Sequence, residues 1–377
     1  MNSRFARVII YGGGGYCALF QKAMSLSGVE VVLVIDQYTD KRDVCGVPVV
    51  RLGDRRIEKS VPIYVSLSGL SDRIVDQLKE LGHTEVYGFK KGIQTFPALL
   101  DTILPRSSWY ATATERRVDV GEVDALRRRL ADDRSRTVLQ EICAFRDHFD
   151  PDHYLENDGQ LQYFADDVPL FVGMTELRFI DCGACTGDTL LPMLDYCRSS
   201  GLAARAVCLF EPEHENLLAL NEVVSEHVPT DCHAVIVPCG TWSTNTIVQF
   251  SAARNSSAII ETSTAATEPP SLHSIATVSL DDSVRGMRPN YIKMDIEGAE
   301  HEALRGAAEI IRTTEPVLAI CVYHKADDLW EIPKLIDSIN PEYEFYLRVH
   351  GDMGLEVVLY AVPSSTSAHA CPTGRLG

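Results

Sequence analysis

The segment at residues 179–189, FIDCGACTGDT, constrains the fold more than any other part of this sequence. An apolar run ends in Asp181, a turn with Gly183 and Gly187 follows, and a helix start is expected near Asp188. Glycine lets a backbone turn sharply and approach a ligand closely. In an open parallel sheet, ligands bind beyond the carboxyl ends of the strands. The segment therefore predicts a strand–turn–helix unit of a doubly wound α/β domain, with a ligand at the turn.

A second apolar run ends in an acid at residues 208–212, which read CLFEP, and Glu211 lies 24 residues after Gly187. In a parallel sheet this acid is expected beside the turn, where it can accept hydrogen bonds from both hydroxyls of a ribose. The carboxylates of Asp181 and Asp188 repel phosphate and suit the ammonium of a methionine moiety. This arrangement favours S-adenosylmethionine over a dinucleotide as the cofactor.

Strand and helix signals alternate in two separate stretches, so the 377 residues predict two α/β domains. Residues 1–105 predict a small Rossmann-like domain that opens with a glycine-rich turn. Residues 106–172 predict a helical linker region, with a break near Asp132 and Asp133. Residues 173–363 predict the cofactor-binding domain, and residues 364–377 a disordered tail.

Short runs rich in β-branched and aromatic residues predict the individual strands. In the first domain they are 7–11, 29–35, 47–50, 62–67 and 85–89. In the second they are 177–181, 206–210, 234–238, 291–294 and 317–322, followed by a closing hairpin of 344–349 and 356–362. The polar, proline-containing residues 261–274 predict an exposed loop.

Composition excludes several classes of partner. The formal net charge of -18 repels phosphate backbones and anionic lipids, so neither nucleic acid nor membrane is expected as a partner. No signal peptide and no apolar run of transmembrane length is visible, which predicts a cytoplasmic protein. The 11 cysteines are scattered and odd in number, which favours reduced thiols. The pair Cys182 and Cys185 lacks a second CxxC, so a redox or zinc site is disfavoured.

From residue 161 to residue 362 the sequence resembles the FkbM-type methyltransferases in the order and spacing of its motifs. KMDIEGAE is the most specific of them. The matching pieces are QYF (162–164), FIDCGACTGDT (179–189), FEP (210–212), VSLDD (278–282), YIKMDIEGAEHEALRG (291–306) and VYHKADDLWEIP (322–333). The resemblance implies a class I methyltransferase fold, S-adenosyl-L-methionine as cofactor, and methyl transfer usually to a hydroxyl oxygen. The implied acceptor is a small molecule of the natural-product or carbohydrate type; self-association is left open.

Most of the predicted cofactor-binding residues lie in the turn or directly after a strand, on the ligand side of the sheet. Gly240 and Thr241 are included because such folds pack the adenine at that position. The full set is Asp181, Gly183, Ala184, Gly187, Asp188, Glu211, Pro212, Gly240, Thr241 and Asp295. Under the resemblance the thiols of the CxxC pair are incidental to this site.

The predicted catalytic residues are His324, Asp295 and Glu297, each of which closely follows a strand. Histidine has an ordinary pKa near 6.5, so His324 is predicted to accept the hydroxyl proton, with Asp295 or Glu297 orienting the acceptor or the imidazolium. The alternative is that acids at this helix start, Glu300 above all, serve as caps. No metal is predicted: the three catalytic side chains could share a divalent ion, but no spacing motif requires one.

The first domain leaves its own function open. Its turn, GGGGY, has Cys17 where a dinucleotide fingerprint needs glycine, while Asp36 stands where a ribose-binding acid would be. RVIIYGGGGY, VVLVID and VCGVPVV resemble the small nucleotide-sugar-binding domain of bacterial sugar acyltransferases. Two other functions remain for the whole chain: a nicotinamide-dependent oxidoreductase, or a non-catalytic protein that binds the cofactor or a nucleotide sugar.

Overall fold

The computed structural model describes residues 5–67, 71–103, 118–148, 151–153, 155–157, 159–252, 258–259 and 272–364. Most of the loop predicted at 261–274, the tail predicted at 364–377 and part of the predicted linker lie outside these residues. The chain divides into two compact units. The first comprises Met1–Arg117, Gln140–Asn157 and Gly351–Leu355, and the second Val118–Leu139, Asp158–His350 and Glu356–Gly377.

The first unit is an α/β sheet with helices. Its elements are β1 (Arg7–Tyr11), α1 (Gly15–Leu26), β2 (Glu30–Ile35), β3 (Asp43–Val44), β4 (Val47–Val50), β5 (Ile63–Val65), α2 (Ser71–Glu80), β6 (Val86–Tyr87), α3 (Phe89–Thr95) and α4 (Ala98–Ile103). The strand order is β3-β4-β2-β1-β5-β6, and only β3 and β4 pair antiparallel. Successive strand residues point to opposite faces. Val8 and Ile10 therefore share one core with α1, whereas Ile9 and Tyr11 share another with α2.

The glycine-rich turn of the first unit is closed by Asp36, which follows β2. The Asp36 carboxylate accepts hydrogen bonds from the backbone N–H of Gly13 at 2.7 Å and from those of Tyr38 and Thr39 at 2.8 Å each. These bonds outweigh the effect of burial, which alone would raise the pKa, and hold the pKa of Asp36 below its ordinary value. The acid suggested for a ribose thus binds its own loop.

Two helices follow, α5 (Val120–Arg129) and α6 (Asp133–His148). Asp119 caps α5 by accepting from the N–H groups of Gly121 and Glu122. The predicted break near Asp132 and Asp133 is confirmed, because α6 begins at Asp133. None of the described helices combines the length and apolarity that a membrane span requires.

The second unit contains the larger sheet and a smaller one. Its helices are α7 (Leu190–Ser200), α8 (His214–His227), α9 (Leu280–Ser283), α10 (Glu300–Arg305), α11 (Ala308–Thr314) and α12 (Asp328–Ile339). Its strands are β7 (Glu176–Cys182), β8 (Ala203–Phe210), β9 (His233–Val237), β10 (Gly240–Thr241), β11 (Thr246–Ala252), β12 (Ala258–Ile259), β13 (Leu272–Val278), β14 (Tyr291–Met294), β15 (Val317–Cys321), β16 (Tyr343–Val349) and β17 (Val357–Pro363).

The larger sheet has the order β16-β17-β15-β14-β7-β8-β9, with only β17 antiparallel to its neighbours. The predicted class I methyltransferase fold is confirmed, including the closing hairpin of β16 and β17. Strands β14, β15 and β17 are buried along their whole length, which suits their nearly continuous apolar sequence. The carboxyl ends of β7, β8, β14 and β15 lie at one edge of this sheet.

A four-stranded sheet of order β10-β13-β11-β12 was not predicted. The exposed loop predicted at 261–274 is wrong at its end, because β13 already begins at Leu272. This strand alternates exposed and less exposed residues, and its polar residues His273 and Ser274 led to the prediction of a loop. A strand solvated on one face has too weak a hydrophobic signal to be separated from a polar loop.

Arg348 on β16 carries a buried charge that two acids balance. Only 1% of its side chain is exposed, and it lies 2.7 Å from Asp132 Oδ2 and 2.9 Å from Asp167 Oδ2. It also donates to the hydroxyl of Ser135 at 3.0 Å. Burial acts to raise the pKa of both acids, but the hydrogen bonds and charge of Arg348 outweigh it and lower both pKa values.

Removing both acid charges should strongly destabilise the second unit. In the double variant Asp132→Asn, Asp167→Asn, the Arg348 guanidinium stays buried without a countercharge, which should cost about 3–5 kcal/mol of unfolding free energy. Asp133→Asn is the matched control, since the Asp133 side chain is fully exposed and should change stability by less than about 0.5 kcal/mol. Denaturant unfolding measures the stability of the double variant and of the control. If the two were equally stable, the ion pairs of Arg348 with Asp132 and Asp167 would contribute nothing to stability.

Candidate active site

The turn after β7 leaves no room for a side chain at its first glycine. Gly183 and Gly187 have φ angles of +83° and +91°. A Cβ at Gly183 would lie 2.0 Å from the backbone oxygen of Asp295, the residue that follows β14. Because of this close approach, the turn after β7 and the chain after β14 are packed backbone to backbone. The two adjacent strand ends thus form one continuous edge.

Beneath this turn lies a buried ion pair. Lys293 Nζ is 2.9 Å from Asp181 Oδ1, and 3% and 0% of the two side chains are exposed. Nζ also donates to the backbone oxygen of Gly183 at 2.7 Å. Burial raises the pKa of Asp181 to about 6 against the charge of Lys293. Burial acts to lower the pKa of Lys293, but the charges of Asp181 and Asp295 outweigh it and raise the pKa.

Asp181 therefore stabilises the turn through Lys293, which also bonds the backbone oxygen of Gly183. The contact predicted between Asp181 and the ammonium of the cofactor stays a prediction. Ala184 is buried within the turn and accepts from the N–H of Gly187 at 2.8 Å. Asp188 is exposed at the start of the following helix. Sequence reasoning did not select Lys293, although a lysine inside the apolar strand YIKM was a visible signal.

Glu211 connects the end of β8 to the same turn. Its Oε2 accepts from the N–H of Cys185 at 2.9 Å, and its Oε1 accepts from the N–H of Glu213 at 2.8 Å and from the Asn216 amide at 3.3 Å. Burial raises its pKa, with these hydrogen bonds opposing. Glu211 thus stands beside the turn as predicted, with Pro212 half-buried after it.

Gly240 and Thr241 form the short strand β10 and pair with β13 in the smaller sheet. Thr241 is buried, and a Cβ at Gly240 would lie 3.3 Å from the Ile275 side chain. The packing within this sheet accounts for both residues. Their role as adenine neighbours stays a prediction.

The three residues predicted to be catalytic meet at the ends of β14 and β15. His324 Nε2 lies 3.3 Å from Asp295 Oδ1 and 3.6 Å from Glu297 Oε2. A third acid, Glu300, is fully buried, and its Oε1 lies 2.9 Å from His324 Nδ1. The same oxygen accepts from the N–H of Ile296 at 2.9 Å. Glu300 therefore bonds a backbone N–H near its helix start, as a cap would, and also faces the imidazole.

The charges of this group act strongly on one another. Burial acts to raise the pKa of Asp295, but the hydrogen bond from His324 and the charge of Lys293 lower it well below its ordinary range. Burial acts to lower the pKa of His324, but Glu300 and Asp295 raise it well above its ordinary value. Burial raises the pKa of Glu297 to about 7. Carboxylates on both sides therefore favour the imidazolium form of His324.

A second layer of side chains orients the acids. The Tyr163 hydroxyl donates to Asp295 Oδ2 at 2.7 Å, and the Tyr323 hydroxyl to Oδ1 at 3.4 Å. Gln162 donates to Glu356 Oε2 at 2.8 Å. The sequence motif QYF (162–164) was recognised, but no role was predicted for its residues. Their importance depends on contacts between residues more than a hundred positions apart.

Alanine at Gly183 should disrupt this edge, whereas alanine at Gly201 should not. Both glycines have positive φ, so each substitution costs about 1–2 kcal/mol of unfolding free energy for the backbone conformation. At Gly201 no atom lies within 4 Å of the added Cβ, whereas at Gly183 the clash with Asp295 should cost a further ~1–3 kcal/mol. Denaturant unfolding measures the stability of both variants. Equal losses of stability would contradict the close packing of Gly183 against the backbone of Asp295.

Comparison with known proteins supports the resemblance over part of the second unit. Residues 181–352 match the family model described as the methyltransferase FkbM domain. The chain is similar to the crystal structure of an FkbM methyltransferase from Methylobacillus flagellatus KT, with 25% identity and a TM-score of 0.62. That similarity covers 96% of this chain and 91% of the other. The resemblance drawn from the sequence motifs is thus confirmed over residues 181–352.

Two further structural similarities are weak. A precorrin-6y C5,15-methyltransferase from Geobacter metallireducens GS-15 gives 10% identity and a TM-score of 0.31, covering 52% of this chain and 83% of the other. The CMeT domain of a citrinin polyketide synthase gives 11% identity and a TM-score of 0.27, covering 77% of each chain. Both are too distant to carry an argument. No match was found among curated proteins.

These comparisons do not bear on the ligand of the first unit. The extent of the similarity to the Methylobacillus protein shows that it includes residues of that unit. The resemblance to a nucleotide-sugar-binding domain stays a prediction.

Proposed function

We propose that this protein is an S-adenosylmethionine-dependent O-methyltransferase whose acceptor is a hydroxyl of a natural-product or carbohydrate-type small molecule. The observation that carries the proposal is the shared edge of the sheet. There Glu211 binds the N–H of Cys185 in the glycine turn, and the neighbouring strand ends carry Asp295 and His324. The acid proposed to bind the nucleoside and the group of ionisable side chains therefore lie at the carboxyl ends of strands on either side of β7, as a transfer reaction requires.

The residues present fit the cofactor. The turn at 183–187 has left-handed backbone at Gly183, Cys185 and Gly187, and Cys185 and Thr186 are accessible to a ligand. The Glu211 carboxylate uses three hydrogen bonds from the protein, which leaves acceptor capacity for ribose hydroxyls. When bound, S-adenosylmethionine supplies a methyl group on an electrophilic sulfonium. Asp181 and Lys293 keep the turn in place beneath it.

The acceptor side is assigned to Asp295, Glu297 and His324. A hydroxyl that is methylated must lose its proton, and a positioned side chain accelerates this step. His324 is flanked by carboxylates and favours the imidazolium form, so Glu297, the most exposed of the three at 32%, is placed best to accept the proton. His324 then stabilises the carboxylates beside it and orients the acceptor.

Replacing Glu211 should weaken cofactor binding. Glu211→Ala and Glu211→Gln should each lose about 1.5–3 kcal/mol of binding free energy for S-adenosylmethionine, because a charge-assisted hydrogen bond to the ribose disappears. Glu215→Ala is the matched control, since Glu215 is exposed in the first turn of α8, which begins three residues after Glu211. Calorimetry on folded variants measures the affinity, and an unchanged value for both Glu211 variants would remove this residue from the cofactor site.

Replacing His324 should slow transfer without releasing the cofactor. Glu297→Gln should lower turnover by about 10²–10⁴-fold, the usual size of a general-base contribution, and His324→Ala should also lower it, because the side chain that orients the acceptor is lost. His301→Ala is the control, because His301 lies on α10 and is not one of the acids or the histidine of the site. Near-normal turnover of Glu297→Gln from about pH 6 to about pH 9 would eliminate Glu297 as the base, and near-normal turnover of His324→Ala would eliminate its orienting role.

The two other functions differ from this proposal in the ligand they require. A nicotinamide-dependent oxidoreductase needs a helix start open to pyrophosphate, whereas Asp188 is exposed at the start of α7. A non-catalytic protein would bind the cofactor or a nucleotide sugar without turnover. A thermal-shift screen with S-adenosylmethionine, its demethylated product, NAD and nucleotide sugars identifies the ligand, because a bound ligand stabilises the native state by about 2.7 kcal/mol at a hundredfold excess over Kd. A turnover assay then separates the methyltransferase from a protein that only binds the cofactor.

A further inference from the structure

The surroundings of His324 hold more carboxyl groups than its one imidazole can pair with. Three acids face the ring nitrogens of His324. Two further acids lie close enough to interact electrostatically with His324 and with these acids. The five are Asp295, Glu297, Glu300, Asp328 and Glu356. Buried charge is unfavourable unless an opposite charge or a metal ion balances it. The cluster therefore favours a bound cation.

The two lysines near this cluster, Lys293 and Lys325, form their bonds with groups other than Glu297 and Glu300. The Lys293 ammonium is paired with Asp181 and donates to the backbone oxygen of Gly183. Lys325 is exposed and donates to the backbone oxygen of Gly298. Neither ammonium is bonded to Glu297 or Glu300 in the part of the chain that the structure describes.

Three of these side chains form a donor set of the size that one metal ion needs. One ligand atom each from Asp295, Glu300 and His324 lie within 4.8 Å of one another. Ligands about 2.0–2.2 Å from one ion can be at most about 4.4 Å apart, so the three atoms must approach by a few tenths of an ångström. His324 must also lose its proton and turn, because its Nε2 faces Asp295, its Nδ1 faces Glu300, and one ion binds only one of the two nitrogens. Two carboxylates and one imidazole are ordinary ligands of divalent transition metals.

Glu300 supplies an independent sign of a ligand. It is fully buried, and only its Oε1 is engaged by Ile296 and His324. Its Oε2 accepts no hydrogen bond from any residue within the described ranges. A buried carboxylate oxygen without a donor is costly and rare in folded proteins. A metal ion at the cluster would satisfy it.

We propose that Asp295, Glu300 and His324 bind one divalent transition-metal ion, with Mn²⁺ preferred over Mg²⁺. The preference follows from the imidazole ligand, since Mg²⁺ favours sites made of oxygen ligands and water. The hydroxyls of Tyr163 and Tyr323 orient Asp295 from outside the set, as partners of metal ligands commonly do. Glu297 is not one of the three and stays beside the ion.

The role of the ion rests on the proposed function. Asp295 is packed against Gly183 of the cofactor turn, so the ion lies at the edge where the acceptor would meet the cofactor. A divalent ion binds an acceptor oxygen and makes its hydroxyl more acidic, and it also holds the oxygen in position. The substrate class that suits such an ion carries two adjacent oxygen donors, such as a vicinal diol or an α-hydroxy carbonyl group.

The test uses the full chain after treatment with a chelator. Mn²⁺ is titrated into the protein, and the free ion is followed by its electron paramagnetic resonance signal. We expect about one ion per chain, and Mg²⁺ should compete at least about tenfold more weakly. Glu300→Gln, Asp295→Asn and His324→Asn should each weaken Mn²⁺ binding by at least ~10–100-fold. Glu302→Gln is the matched control on the same helix, with its acid ion-paired to Arg305 at the surface.

The outcomes separate this inference from the proposed function. Binding of Mn²⁺ to the wild type, reduced in the folded variants but not in Glu302→Gln, supports the site. No binding, or equal binding to all variants, overturns it. If Glu300→Gln does not fold, Asp295→Asn and His324→Asn decide. Calorimetry with S-adenosylmethionine in the presence of chelator then tests the proposed function: cofactor binding without Mn²⁺ binding overturns the metal site alone, and loss of both overturns both.

Discussion

The buried pair of Lys293 and Asp181 is the interaction on which the edge of the larger sheet depends. Lys293 lies on β14 and Asp181 on β7, and the two residues are direct neighbours in the strand register. The ammonium also holds the backbone oxygen of Gly183, and so fixes the start of the glycine turn. Removing either charge would leave the other buried and unpaired, which is far more costly than losing a surface ion pair. The pair therefore fixes the turn and the chain after β14 together.

This constraint extends to the ionisable cluster. Two residues after Lys293, Asp295 lies against Gly183 and receives hydrogen bonds from Tyr163 and Tyr323. Its position leads the chain through Glu297, which has a φ of +56°, to the start of α10 at Glu300. The motif KMDIEGAE thus combines a lysine that anchors the turn, two acids that face His324 Nε2 and an acid that faces its Nδ1. Its specificity in the sequence reflects these physical demands.

Sequence reasoning predicted the architecture well because strand ends and glycine turns are encoded locally. The strands after which Asp181, Glu211 and Asp295 stand were recognisable from short apolar runs that end in acids. The smaller sheet was missed because its strands are partly solvated and polar. The importance of Lys293 was missed because its partner, Asp181, lies more than a hundred residues earlier in the sequence. The importance of Glu300 was missed because its contact with His324 depends on the direction of its side chain. Such pairings become visible only once the strand register is known.

The two glycine turns of this chain use the same device, which shows what a turn of this kind can and cannot indicate. In the first unit Asp36 follows β2 and binds the N–H of Gly13, and in the second Glu211 follows β8 and binds the N–H of Cys185. An acid after one strand thus stabilises the glycine turn after its neighbour in both sheets. The units differ in what else stands at the edge. Within the described ranges, the His324 cluster is the one group of potential metal ligands found. That cluster therefore distinguishes the second unit chemically, whereas a glycine turn alone indicates only the fold.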